Sequence, residues 1–320
     1  MQPRKNELTA VSSRDMFDRV PGGVTDPADI ARWHSFREKY HNAARLGPAT
    51  DFPLQIDFEL NSTCQMKCGF CVHGHEKVKK QILPFETFCR VIDEGARFGL
   101  CSIKLNYINE PLLLPSLIMY INYARSRGVL NVYFATNGLL LTEKVSRNLI
   151  DAKVSKVMVS LDATTPETFK QMRGSDKLDV IVNNITRLIE MRGDKDYPLV
   201  RVNFLKTKVN EHEAVAFLDQ WTGVADMVGF QEQLNRPGTL DVQCDYTFKC
   251  AFPFKLVTVD SSGAILPCCT FSGREIPLGH IDDMTIHKAW NSFNMWELRS
   301  LHREGLGKTI PACNHCIGAN

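Results

Sequence analysis

Eleven cysteines stand in this 320-residue chain, and their spacing carries most of its legible chemistry. Cys64, Cys68 and Cys71 fall in one short run, with Phe70 directly before the last. A structural zinc site takes four protein ligands, and only His73 and His75 stand near enough to add a fourth. These two read as solvated loop residues or as residues behind the ligands, not as ligands. Three thiolates at this spacing suit a cubane iron–sulfur cluster with one iron open to an exogenous ligand. A second group, Cys244, Cys250, Cys268, Cys269, Cys313 and Cys316, lies beyond residue 240. An odd total cannot pair completely, and no apolar export signal opens the sequence. The thiols therefore read as metal ligands in a reducing compartment, not as disulfides. Cys89 and Cys101 stand apart and read as core; Cys89 shares the helical spacing of Phe85, Phe88, Ile92 and Ala96.

The elements that must position these residues alternate regularly. Strand-like runs at 54–60, 102–107, 131–135, 156–161, 199–205 and 227–231 are separated by helical patterns. Such alternation implies a parallel sheet with right-handed crossovers. Six units are too few to close an eight-fold barrel, so the expected fold is α/β, a partial (β/α)6 barrel with ligands at the carboxyl ends of its strands. The first cysteine run follows the first strand and so lies at that mouth. Thr165-Pro166-Glu167 has the N-cap, first-turn proline and acid of a helix start.

Three regions follow. Residues 1–50 form an N-terminal extension with a helix over 27–46; residues 51–235 form the barrel; residues 236–320 form a small cysteine-rich domain. Asn235-Arg236-Pro237-Gly238 is the turn at the boundary. The small domain opens on a hairpin, 255–260 and 264–266 about Ser261-Ser262-Gly263, and continues into a helix over roughly 284–303.

Composition narrows the function classes. A chain 44% hydrophobic and 23% charged, with formal net charge +2, is an ordinary globular mix with no phosphate-tracking surface. Nucleic acid is excluded as the main partner. The run LLLPSLIMYI at 112–121 is too short and proline-broken to span a bilayer. A soluble cytoplasmic protein is expected.

At Cys64-x3-Cys68-x2-Cys71 the chain resembles the radical S-adenosylmethionine (SAM) superfamily. The resemblance implies a 4Fe–4S cluster on these three cysteines. Its open iron chelates SAM, and one-electron reduction cleaves SAM to a 5′-deoxyadenosyl radical that abstracts a substrate hydrogen atom. It further implies SAM contacts from Phe70, from Glu110 to the amino group, from Asn137 in Ala135-Thr136-Asn137-Gly138, from Ser160 and Asp162 to the ribose, and from Arg173 to the carboxylate. Ile108 and Asn109 replace the family's paired glycines ahead of Glu110-Pro111. Asp162 also reads as a helix cap and Arg173 as a surface ion-pair residue.

The C-terminal residues Gly263-x4-Cys268, Leu278-Gly279-His280-Ile281, Ala289-Trp290-Asn291-Ser292 and Pro311-x-Cys313-x2-Cys316 resemble the SPASM and twitch auxiliary-cluster domains of these enzymes. The resemblance implies a second 4Fe–4S cluster on Cys250, Cys268, Cys313 and Cys316, with Cys244 able to stand in for one of them. Cys269 reads either as a thiol hydrogen-atom donor or as packing. The activity implied is hydrogen abstraction from a small polar substrate, oxidation of a sugar or aminocyclitol being favoured, with a flavodoxin- or ferredoxin-like reductant. The rival readings are a peptide-modifying enzyme, a radical epimerase and, in another class, a non-catalytic electron-transfer protein.

Overall fold

Strands buried on both faces need helices on both sides, and the sequence supplies them in alternation. The computed structural model describes residues 17–75, 77–232 and 248–316. Six parallel strands follow in chain order: β1 Gln55–Phe58, β2 Ser102–Lys104, β3 Asn131–Thr136, β4 Lys156–Ser160, β5 Leu199–Lys206 and β6 Met227–Glu232. Their register is regular, with Ile56 opposite Ile103, Ile103 opposite Val132, and Val159 opposite Val202. The crossovers are helical, among them Phe85–Arg97, Leu117–Ser126, Glu143–Asp151, Leu178–Arg192 and Ala214–Trp221. Ile56, Phe58, Ile103, Val132, Val157 and Val200 are fully buried in one core.

The sheet does not stop at the sixth strand. β7 (Leu256–Val259) pairs parallel to β1, while β8 (Ala264–Leu266) and β9 (Gly279–His280) follow antiparallel. The nine strands run β6-β5-β4-β3-β2-β1-β7-β8-β9. The hairpin about residues 261–263 thus extends the barrel sheet, and Val257, Ile265, Trp290 and Met295 join its core. The expected boundary turn at 235–238 and Cys244 lie outside the described residues.

Three expectations need correction. The helix expected over 284–303 is two helices, Ile286–Trp290 and Phe293–Arg303. Ser292 breaks it, its hydroxyl accepting from the Met295 amide at 3.3 Å as a new N-cap. Cys89 is only half-buried, because its helix turns Phe88, Val91 and Ile92 inward. Of the two readings of His73, as a solvated loop residue or as one behind the ligands, the first is corrected: it is buried at the start of the short helix Val72–His75.

The N-terminal helix, Pro27–Ala44, is capped by Asp26, whose carboxylate accepts from the Ala28 amide at 2.7 Å. Trp33, Phe36 and Ala43 pack with Leu54, Cys101, Leu130 and Phe254 in a second core across the amino ends of the strands. No helix among the described residues is long and apolar enough to cross a membrane.

Candidate functional site

The carboxyl ends of β1 to β4 bring together most of the residues singled out above. Cys64, Cys68 and Cys71 lie in the loop after β1, turned by the Cys71 amide donating to the Cys68 carbonyl at 2.9 Å. Burial pushes the Cys64 thiol up to about 11, and neighbouring Cys68, Cys71 and Glu110 add to the rise. Cys68 is also raised by burial, against the pull of Arg173, whose Nη1 donates to its Sγ at 3.7 Å. Arg173 ends the helix Pro166–Arg173, stacks over Phe70 at 5.3 Å and forms a buried ion pair with Asp162. The helix closes on Gly174 at φ 64°, where an added Cβ would meet the Lys67 carbonyl oxygen at 2.6 Å. Only glycine lets the arginine helix approach the cysteine loop this closely.

Asp162 stands just beyond β4, with φ at 68°, and accepts from the Leu205 amide at 2.7 Å. It thus faces Arg173 and β5, not solvent. Ser160 ends β4 opposite Asn203 and is half-buried. Asn137 reaches back to the cysteine loop, donating to Cys64 Sγ at 3.8 Å and to Gln65 Oε1 at 3.2 Å. Glu110 is already engaged by its own chain. One oxygen accepts from Thr136 Oγ1 at 2.7 Å and the Leu112 amide at 3.1 Å; the other accepts from the Asn137 amide at 2.7 Å. Ile108 and Asn109 fold beneath this loop, where Asn109 donates to Asn61 Oδ1 at 2.9 Å.

A second set of thiols surrounds a separate, apolar-walled cavity. Cys250, Cys268, Cys313 and Cys316 all line it, with Phe252, Pro267, Ile276 and Leu298. Burial pushes Cys250 and Cys313 each up to about 12, and the other cavity thiols push them further. The room for Cys268 is kept by Gly273, whose added Cβ would lie 2.8 Å from its Sγ. The side chains are not drawn to ligation distance: among the described residues no three His, Cys, Asp or Glu groups form a metal-ligating cluster. The donor chemistry nonetheless fits iron–sulfur clusters. As thiolates, these clustered half-buried groups would repel one another, and a bound metal charge offsets that repulsion.

Sequence reasoning missed His302. It is fully buried, its Nδ1 accepts from the Cys250 amide at 3.2 Å, and its Nε2 lies 3.5 Å from Cys313 Sγ. An accepting Nδ1 leaves Nε2 to carry the proton, so the ring presents a donor to Cys313. Nothing in the residue's spacing marks it, since its partners come from two other segments.

The barrel interior was also missed. A cavity of about 400 Å³ inside the strands is lined by Asp57, Lys104, Tyr133, Lys156, Arg201 and Cys269, among others. Cys269 faces this lumen while adjacent Cys268 faces the thiol cavity. The legible signal was charge inside otherwise apolar strands, which a parallel sheet tolerates only where side chains face a lumen or a ligand.

The comparisons agree with this geometry. Residues 58–219 match the radical SAM superfamily model, and residues 250–317 match an iron-sulfur cluster-binding domain, SPASM. Curated relatives include a probable GTP 3′,8-cyclase of Methanococcus maripaludis, 27% identical over 165 residues, covering 51% of this chain and 54% of that one. Another, of Saccharolobus solfataricus, is 29% identical over 168 residues, covering 52% and 53%. The chain spans about half the length of these relatives. Among solved structures, anSMEcpe with bound AdoMet superposes at TM-score 0.64 and 15% identity, covering 83% of this chain and 89% of that one. BtrN in complex with AdoMet and 2-DOIA superposes at 0.57 and 19%, covering 82% and 92%. Streptococcus suis SuiB bound to S-adenosylmethionine superposes at 0.60 and 15%, covering 87% and 74%. These likenesses share the fold. A superfamily model that spans half of the chain, over a barrel with three thiols at its mouth, assigns this protein to the radical SAM superfamily, with SAM and 4Fe–4S clusters as cofactors.

Proposed function

We propose that this enzyme oxidises a small polar molecule, sugar- or aminocyclitol-like, held in the barrel lumen. Cys64, Cys68 and Cys71 hold the SAM-binding cluster in this reading, and Cys250, Cys268, Cys313 and Cys316 hold the auxiliary one. Phe70, Glu110, Asn137, Ser160, Asp162 and Arg173 line the SAM site. When bound, these groups supply reductive SAM cleavage, hydrogen-atom abstraction and a one-electron acceptor.

The chain's own residues bind and orient. Arg173, neutralised by Asp162, offers guanidinium hydrogens toward Cys68 and a flat face to Phe70. Glu110 fixes the Thr136–Asn137 turn and keeps lone pairs for a bound ammonium group. The observation that carries oxidation is the placement of Cys268 and Cys269, one peptide apart, on the thiol cavity and on the lumen. A substrate in the lumen then lies one residue's thickness from a second redox centre. Loss of one hydrogen atom, one further electron and one proton converts a carbinol to a ketone, which balances the reaction.

One observation favours a second reading. Cys269 faces the lumen, and burial holds its thiol protonated, above its ordinary range. An S–H there suits hydrogen return and hence epimerisation. Turnover in deuterated buffer under anaerobic conditions separates the two. The expected result is a product two hydrogens lighter than substrate, formed equally by Cys269→Ala. An isomer of the substrate bearing one solvent deuterium, lost in Cys269→Ala while SAM cleavage persists, makes the enzyme an epimerase. No SAM cleavage by the reconstituted wild type sinks both readings.

A further inference from the structure

The lumen is more cationic than an uncharged sugar requires. Arg37 is paired with Asp18 at 2.6 Å, Arg19 lies 4.0 Å from Asp196, and Lys104 lies 3.9 Å from Asp57. Lys156 and Arg201 are left over. Neither meets a carboxylate among the described residues, and Arg201 Nε is buried with no hydrogen-bond partner. Lys156 is only 8% exposed. Burial, with Arg201 and Arg37 nearby, pushes its ammonium down to about 7.

The two cations share one end of the lumen. Lys156 opens β4, facing the same side as Met158, and Arg201 lies opposite Met158 on β5. Both stand over the Phe17 ring, Lys156 Nζ at 4.4 Å from its centroid and Arg201 Cζ at 5.3 Å. Lys156 also lies 5.3 Å from the Tyr133 ring. The guanidinium rests against Gly229 of β6, where an added Cβ would sit 2.0 Å from Nη2. The backbone therefore leaves space for this arginine inside the barrel.

Energetics argue against mere packing. A desolvated cation–π contact recovers only part of what an uncompensated buried charge costs. Two cations side by side with no carboxylate partner among the described residues worsen the balance. While Lys156 keeps its proton, a counter-charge compensates such a pair, and the cavity beside it has room for one.

We propose that Lys156 and Arg201 bind an oxyanionic substituent of the substrate, a phosphate ester or a carboxylate. The proposal rests on the reading of the lumen as the substrate site. Arg201 offers a planar fork to two oxygens and Lys156 a point charge, the combination that oxyanions take. The site lies at the amino end of β4, so the anion is anchored there while the reacting C–H faces the strands' carboxyl ends. Over the four residue steps from Lys156 to Ser160, that separation is about 13 Å.

The test titrates sodium phosphate and, separately, sodium acetate into anaerobically reconstituted enzyme by calorimetry, with sodium chloride keeping ionic strength constant. Wild type is expected to bind at least one of them, and the tighter anion identifies the substituent. Lys156→Met and Arg201→Gln should each weaken binding about tenfold or more, while the exposed Lys144→Met should not change it. Thermal unfolding at about pH 6, where Lys156 is charged, supplies the second measurement. Without anion, Lys156→Met should melt higher than wild type, because a buried charge with no carboxylate partner among the described residues is gone. The proposal is overturned if neither anion binds wild type, if Lys156→Met binds as tightly, or if that variant melts lower at full iron content. Substrate-free SAM cleavage is followed in parallel. Its absence from wild type would defeat the radical SAM reading of the lumen while the anion titration stays readable.

Discussion

Glu110 offers the sharpest test of how the SAM site is built. Its carboxyl is 2% exposed, and burial pushes it up to about 7 against the hydrogen bonds from Asn137, Thr136 and Leu112 that favour its charged form. A carboxyl raised in the folded state contributes stability that is fully present below its unfolded value of 4.5 and is lost as pH rises through about 7. At about 1.4 kcal/mol per unit, the full loss is about 3 kcal/mol, of which about 2 kcal/mol falls between pH 5.5 and 8.5. Glu110→Gln has the same shape but cannot titrate. Its amide nitrogen turns a donor toward a chain donor, which costs about 1–3 kcal/mol at every pH. Urea unfolding of the apoprotein, with thiols kept reduced, should therefore show wild type more stable at pH 5.5 and the gap narrowing by about 2 kcal/mol at pH 8.5. Other titrating groups cancel in the comparison. A bound ammonium group would offset the buried charge, so SAM affinity by equilibrium dialysis should fall about tenfold or more in Glu110→Gln with iron content unchanged. Parallel pH profiles for the two proteins, or equal SAM affinity, would refute the reasoning.

Further outcomes follow from the same geometry. Reconstituted wild type should hold about eight irons; changing Cys64, Cys68 and Cys71 together to Ala should remove about half and abolish SAM cleavage, and retained cleavage would defeat the ligand assignment. Arg173→Met strands the buried Asp162 carboxylate and should cost about 3–5 kcal/mol in urea unfolding; adding Asp162→Asn should recover most of it, and additive losses would show that the pair is not coupled. His302→Leu removes the donor facing Cys313 and the acceptor of the Cys250 amide. It should shed the auxiliary iron to a chelator several-fold faster while SAM cleavage without substrate persists, and unchanged release would make His302 a packing residue.

The barrel was legible because its signal is periodic. Apolar strands such as 157–159 alternate with helices, and the helix start read at Thr165 forms its cap, the hydroxyl accepting from the Thr168 amide. The mouth residues were legible because strand ends are where such sheets place their chemistry. The split at Ser292 was hidden, since a serine inside an amphipathic pattern reads equally as helix surface or as cap until its partner Met295 is seen. Cys89 was misjudged for a related reason: spacing gives a helix's apolar stripe but not where the stripe ends, and Cys89 sits at its margin beside Tyr123. The pairing of Asp162 with Arg173, the place of His302 and the meeting of the lumen cations were hidden for a stronger reason. Each depends on contacts that local spacing does not specify and that form only in the folded sheet.

The pairing of β7 with β1 also shows how the cysteine-rich C-terminal domain is tied to the barrel. β7 pairs with β1 through Gln55 opposite Leu256 and Phe58 opposite Val259. Thr258 of β7 then donates to the Cys268 carbonyl at 2.9 Å, which fixes the Cys268–Cys269 peptide against the barrel wall. Glu59, just past β1, accepts from Ser261 Oγ at 2.7 Å and pairs with Arg274 at 3.2 Å. Tyr107, after β2, donates to the Thr270 carbonyl at 2.5 Å. These polar links are buried or half-buried, and they bracket the two adjacent cysteines on both sides. The Cys268–Cys269 peptide, held in the bend that follows β8, sends one thiol to each cavity. β7, which extends the sheet beyond β1, is thereby the element that sets the separation between lumen and auxiliary thiols. A change to Thr258 or Glu59 should act on that separation before it acts on either cavity alone.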